Sequence, residues 1–257
     1  MSAVIFAGPS LPPSVAAGFA GIEWRPPVRQ GDVYLAALSS PAIIGIIDGY
    51  FEIVPTVWHK EILWAMDQGI HVYGGASIGA LRAAELADFG MTGIGQVYEQ
   101  YRAGRLTDDD EVAVLHGPEE VGYVQVTEAM VNIRATIDRA GQLGVIDPGV
   151  AGALVRIAKS HFYKDRTYEA VIRTAAAHGL APEALARFAT WLPEGQVDQK
   201  RIDAVALLQA VTAHLDRGVT PLRVSYRFAH TFAWEDARQR IETARDRAAK
   251  PAPAVKS

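Results

Sequence analysis

The sequence predicts an α/β fold: a mainly parallel sheet flanked by helices, with a C-terminal helical layer or subdomain. Three observations predict it. Short apolar runs alternate with helix-forming segments through the first half of the chain, the pattern of a parallel sheet covered on both faces. The best of these runs, "AIIGIID" at 42–48, is apolar throughout except for one glycine and stops on Asp48-Gly49, as a central strand does. From about residue 125 onward the strand-like runs give way to capped helical segments.

Taken in order, "AVIFAGP" (3–9) is a short buried-strand pattern ending in Gly-Pro, and "PPSVAAGFA" predicts a helix. "IEWRPP" is a second strand stopped by prolines, and "GDVYLAALS" is a helix with Asp32 near its start. After the 42–48 strand, Pro55 stands where a first helical turn tolerates it and opens "TVWHKEILWAMDQG". "IHVYG" follows as a strand, then the helix that begins around Ser77. Parallel sheets place ligands at the carboxyl ends of their strands, so Asp48-Gly49 and Gly75–Ser77 are expected to share one crevice.

In the second half, "TEAMVNIRATIDRAGQLG" starts with a threonine cap and ends in glycine. "DPGVAGALVRIAKSHF" starts with Asp-Pro, and "APEALARFATWL" has proline in its first turn. "KRIDAVALLQAVTAHLDRG" puts Ile202, Val205, Leu208 and Val211 on one face. Trp191 and Trp234 are candidates for a contact surface. The expected division is an α/β hydrolase-like core at 1–124, a helical subdomain packed on it at 125–250, and a frayed tail at 251–257. There is no internal repeat.

Composition narrows the function. The chain of 257 residues carries 25 basic and 29 acidic side chains, a net charge of −4, which leaves no basic field for nucleic acid. No run approaches a membrane span, and the N-terminus lacks the basic region of a secretory signal, so the cytoplasm is the expected compartment. There are no cysteines, which excludes disulfides, thiolate metal sites and a cysteine nucleophile. Neither G-x-x-x-x-G-K-[ST] nor G-x-G-x-x-G is present, and no nucleotide, other cofactor or metal is expected.

The chemistry concentrates in "HVYGGASIGALRAAEL" (71–86). Gly75-Ala76-Ser77-Ile78-Gly79 fits G-x-S-x-G between a strand and a helix, the setting of a nucleophile elbow. Small neighbours allow a tight turn, and the helix N-terminus supplies free N–H groups for an oxyanion. The competing reading is a serine that only caps the helix. A serine nucleophile needs a base. Seven histidines are present: His59, His71, His116, His161, His178, His214 and His230. His116 ends the strand-like "EVAVLHGP" downstream of Asp108, Asp109 and Asp110, and reads more simply as a strand-end residue. Lys60 is the preferred base. On a helix its neighbours are Val57, Leu63 and Trp64, an apolar seam that would desolvate the amine and lower its pKa. The alternative is a lysine that lays its stem on that seam and keeps its head in water.

Together "GPSLP" (8–12), "IGIIDGYF" (44–51), "HKEIL" (59–63), "GASIGALRAAELADFGM" (75–91), "DDDEVAV" (108–114) and "VNIRATI" (131–137) resemble the TfuA-like family, accessory proteins of peptide-backbone thioamidation. The resemblance covers roughly the first half of the chain. It implies a YcaO-type ATP-dependent enzyme as partner, a ubiquitin-like sulfur carrier ending in a thiocarboxylate, and a peptide substrate. It also implies a hydrolase-like Ser–Lys pair, which falls on Ser77 and Lys60. Family members often have Ser-Met where this chain has Ser77-Ile78, and both following residues are apolar. A chain without cysteine cannot carry a persulfide, so sulfur must arrive mounted on a donor.

On this reading Ser77, deprotonated by Lys60, attacks the carrier's thioacid carbonyl and releases sulfide. Ile78 and an N–H near Gly49 or Tyr50 are the candidate oxyanion donors. Gly8, Ser10, Gly49 and Gly74 are candidates to line a channel for a Gly-Gly tail. Asp48 is expected to hold Lys60 or Ser10, and Arg82 to orient Glu85 or meet a carboxylate. Two rival readings stand beside it. One is a non-catalytic docking partner of YcaO. The other is a patatin-like serine acyl hydrolase, against which no Asp-Gly turn follows Ser77.

Overall fold

The computed structural model describes residues 2–52 and 54–248; the expected tail at 251–257 lies outside them. Ala3–Phe6 (β1) is buried along its whole length because it has a parallel neighbour on each side. Ala3 pairs with Ile22 of Ile22–Arg25 (β2) and with Ile43 of Ile43–Ile46 (β3). His71–Gly75 (β4) continues the sheet beside β3, and Thr92–Ile94 (β5) closes it. The order is β2-β1-β3-β4-β5, all parallel, the 2-1-3-4-5 arrangement whose strand order reverses between β1 and β3. Ligand crevices open at that switch point.

The connecting helices cover both faces. Pro13–Ala16 (α1) follows β1, and Asp32–Ala37 (α2) follows β2. His59–Asp67 (α3) joins β3 to β4, and Ile78–Leu86 (α4) joins β4 to β5. Apolar residues of α2, α3 and α4 pack with Val4, Phe6, Ile44, Ile46 and Val72 on one face. Gln96–Arg102 (α5) packs on α4 through Val97, Tyr101 and Ala80.

Met130–Gln142 (α6), Pro148–Ser160 (α7), Tyr168–Ala177 (α8) and Pro182–Gly195 (α9) share a core of their own around Ile133, Leu154, Val171 and Phe188. Gln199–Asp216 (α10) then returns to the sheet and covers its second face with Ala204, Leu207, Leu208 and Val211. Gly45 makes room for it: a Cβ there would lie 2.3 Å from Ile5 Cδ1 and 3.3 Å from Leu207. Phe232–Ala248 (α11) begins beside the aromatic cluster of Tyr34, Phe228 and Trp234.

Several expectations are corrected here. Pro55 does not open α3, which starts at His59 after an extended Trp58. Thr127 does not cap α6; its hydroxyl accepts from Leu115 N–H at 2.8 Å. The strand-like "EVAVLHGP" forms no strand, only a bridge between His116 and Gln125. On α10 the buried face runs through Leu207 rather than Ile202, which is 53% exposed. Trp234 is buried and Trp191 stacks on Phe188 with ring centroids 6.1 Å apart, so the two do not form a contact surface.

Candidate active site

Beyond β4 the chain turns sharply. Ala76 is fully buried with φ +65°, and Ser77 N–H donates to Gly75 O at 2.8 Å. That is the hydrogen bond of a tight three-residue turn with a left-handed central residue, strained for anything but glycine. The glycines on either side are there for packing. A Cβ on Gly79 would stand 1.8 Å from Ile46 O, and one on Gly75 would stand 2.8 Å from Ile94 O. The motif therefore presses the end of β4 against β5 and the start of α4 against the end of β3.

Ser77 occupies the cap position of α4, yet its side chain makes no capping bond. The simple cap reading is thereby removed. Ser77 instead lines a cavity of about 270 Å³ with Asp48, Gly49, Tyr50, Ile78, His116 and Lys200 among its walls. Among the described residues, neither the first N–H of α4, on Ile78, nor Gly49 N–H has a hydrogen-bond partner. Tyr50 N–H is committed to Val28 O at 3.1 Å, so it is not an oxyanion donor. Ile78 and Gly49 remain.

Asp48 sits at the topological switch point, just past the end of β3. Its Oδ2 accepts from Gly8 N–H and Ser10 N–H, both at 2.9 Å, and its Oδ1 accepts from the Ser10 hydroxyl at 2.6 Å. This fixes the β1 loop, so Gly8 and Ser10 shape the crevice without lining the cavity. Gly74 is buried in β4 against Gly79 and does not line it either. The lysine beside Asp48 is not Lys60. It is Lys200, from the first turn of α10, whose Nζ donates to Val112 O at 2.9 Å and lies 3.9 Å from Asp48 Oδ1. Lys200 and Asp48 are each 1% exposed. Burial drives the Lys200 pKa below the usual lysine value, with Asp48, Asp198 and Glu128 opposing.

Lys60 is elsewhere. Its ammonium rests over the Phe228 ring, 4.9 Å from the centroid, next to the Tyr34–Trp234 cluster, and it does not line the Ser77 cavity. The apolar seam that drew attention to it exists, and the lysine lies along it as a cation on an aromatic face. Arg82 is likewise outside the cavity. Its Nε donates to Val57 O at 3.1 Å and its guanidinium meets Glu85 at 2.6 Å, while Glu85 also pairs with His59 at 2.8 Å. These residues tie α3 to α4.

The far wall is built by residues 109–116. Arg166, fully buried, holds this segment by donating to Asp110 O and Asp110 Oδ2 at 3.0 and 2.6 Å. Asp108, Asp110 and Glu111 come close enough together to suggest a cation site, but Lys159 bridges all three, and Arg134 and Arg166 pair with Glu111 and Asp110. Their charge is already balanced; Asp109, outside this cluster, lines the cavity with His116, whose Nδ1 meets Gly117 O rather than a carboxylate. At the mouth, Glu52 accepts from Tyr163 and Lys164, both at 2.9 Å.

Residues 48–167 match the family model described as TfuA-like protein. The chain carries a TfuA-like domain. That span begins at Asp48 and holds Ser77, His116 and Arg166, so most of the cavity wall falls within the TfuA-like segment. Lys200 lies beyond it, on the helix that covers the second face of the sheet. No curated protein matches the chain. Lys200 is not legible in the sequence, because nothing in "DQKRID" distinguishes it from a surface lysine; only the return of α10 to the sheet buries it.

Proposed function

We propose that this TfuA-like protein hydrolyses the C-terminal thiocarboxylate of a ubiquitin-like sulfur carrier and delivers the sulfide to a YcaO-type enzyme for peptide-backbone thioamidation. The observation that carries the reading is the Ser77 hydroxyl. It sits on a strained turn at a helix N-terminus and is not spent as a cap, and Ser77 lines a cavity shared with a buried lysine.

Lys200 replaces Lys60 as the amine of the Ser–Lys pair. The neutral amine takes the Ser77 proton while Oγ adds to the thioacid carbon. The oxyanion is met by the Ile78 and Gly49 N–H groups. The carbon–sulfur bond then breaks, the proton returns from Lys200 to the departing sulfur, and an ester on Ser77 remains. Water cleaves that ester and frees the carrier as a carboxylate, restoring the Ser77 hydroxyl. Asp48 keeps the ammonium form of Lys200 affordable inside the protein.

A docking role for the peptide–YcaO complex is part of the same reading. Val121, Val124 and Val126 are each more than half exposed on the 115–127 lobe that borders the cavity, a small apolar surface beside the point of sulfide release. The test is a trapping experiment with thiocarboxylated carrier. Rapid quenching should show a covalent carrier adduct on wild type, mapped to Ser77 by peptide mass, and none on Ser77→Ala. An adduct-free wild type that still supports thioamidation with free sulfide would leave only the docking role.

A further inference from the structure

We infer that His116 is the general base of the second half of this reaction, activating the water that cleaves the Ser77 ester. The inference rests on the hydrolase reading and assigns a separate residue to deacylation. His116 lines the same cavity as Ser77. Its Nδ1 lies 2.7 Å from Gly117 O. A carbonyl oxygen only accepts, so Nδ1 carries the hydrogen, and the neutral ring is left with an unprotonated Nε2.

The ring is held in place from several directions. Tyr50 and Tyr123 flank it with centroids 6.2 and 5.7 Å away. The backbone is pinned by the bridge from His116 to Gln125 and by the Gly117 N–H bond to Val124 O at 2.8 Å. An imidazole fixed in one tautomer in the cavity that holds the nucleophile is what water activation requires.

The division of labour follows from access. Lys200 and Asp48 are sealed in the interior at 1% exposure, suited to exchanging a proton with a hydroxyl already inside. Water must come from the open side, and His116 is half-buried there. In the step assigned to it, Nε2 takes one proton from water as the oxygen adds to the ester carbon. The tetrahedral species collapses by breaking the carbon–Oγ bond, and the imidazolium returns the proton to Ser77 Oγ. The carrier leaves with a carboxylate, and no other reactant is needed.

The experiment is a pre-steady-state sulfide assay on the full-length protein with thiocarboxylated carrier, comparing wild type, His116→Gln and His116→Ala. Both variants should release a single equivalent of sulfide in a burst and then slow by about a hundredfold or more. Intact mass should show carrier retained on Ser77, and added imidazole should restore turnover to His116→Ala. Steady turnover of either variant without adduct overturns the inference. So does loss of the burst itself in both variants with thermal unfolding unchanged. Failure of the hydrolase reading looks different: wild type then gives neither sulfide nor adduct.

Discussion

The Lys200 ammonium stands 3.9 Å from the Asp48 carboxylate with both side chains closed off from solvent. The two come from opposite ends of the chain's logic: Asp48 from the end of the central strand, Lys200 from the start of the last helix to cover the sheet. A buried pair of this kind contributes little net stability, because desolvation offsets most of the attraction. Its consequence is electrostatic. Burial pushes the lysine toward the neutral amine and Asp48 pulls it back.

Asp48→Asn should therefore move the pH profile rather than abolish the fold. The amide oxygen can still accept from Gly8 and Ser10 N–H, so the β1 loop stays in place. Removing the carboxylate charge lowers the Lys200 pKa further. The basic form is then reached sooner, and the acidic limb of the kcat profile shifts to lower pH. A limb that stays put, or moves up, would show that Lys200 is not the group being titrated.

Lys60→Met should leave sulfide release within about twofold of wild type. It should cost only about 0.5–1 kcal/mol of stability, the size of a partly exposed cation–aromatic contact with Phe228. Thermal unfolding and the sulfide assay together check this. A large loss of activity would return Lys60 to the mechanism.

Gly79→Ala should damage the fold and the site together. The added methyl meets Ile46 O at 1.8 Å, and backbone cannot rotate away as a side chain can. A loss of at least about 1–3 kcal/mol is expected from overpacking. Activity should fall as well, because α4 must shift and Ile78 N–H moves with it. Urea unfolding and residual sulfide release read the two effects.

Glu61 predicts a pH dependence of stability unrelated to the active site. It is buried on α3 and accepts from the backbone of Gly31, Val33, Tyr34 and Trp58. Burial pushes its pKa up to about 7 from 4.5, against those hydrogen bonds. A raised folded pKa means the folded state holds the proton more tightly than the unfolded chain. Its contribution is complete below about 4.5 and is lost as pH rises through about 7. The unfolding free energy of wild type minus that of Glu61→Gln should decline across that window. A flat difference would contradict the assignment.

Much of the fold was legible because parallel strands buried on both faces must be apolar runs. "AIIGIID" and "IHVYG" reveal β3 and β4, and with them the strand ends where Asp48 and Ser77 meet. The three-residue β5 was missed because "TGI" is too short to show a period. The face of α10 was misplaced because small Ala204 shares it with Leu207, while the apolar Ile202 faces solvent. Ser77 was readable from its glycines, whose contacts with Ile46 and Ile94 require them. Its lysine was not. A buried cation is set by which distant helix returns to the strand ends, and an apolar local seam pointed instead to Lys60, whose partner turned out to be an aromatic ring.

Ser77 and Lys200 are proposed to act as one unit on a thioacid. The most direct measurement is sulfide release from a thiocarboxylated carrier by wild type, Ser77→Ala, Lys200→Met and the double variant, each with its unfolding curve. Each single variant should lose at least about a hundredfold, and the double variant should be no worse than either, as members of one catalytic unit behave. Folded Ser77→Ala or Lys200→Met protein that releases sulfide at the wild-type rate would contradict it.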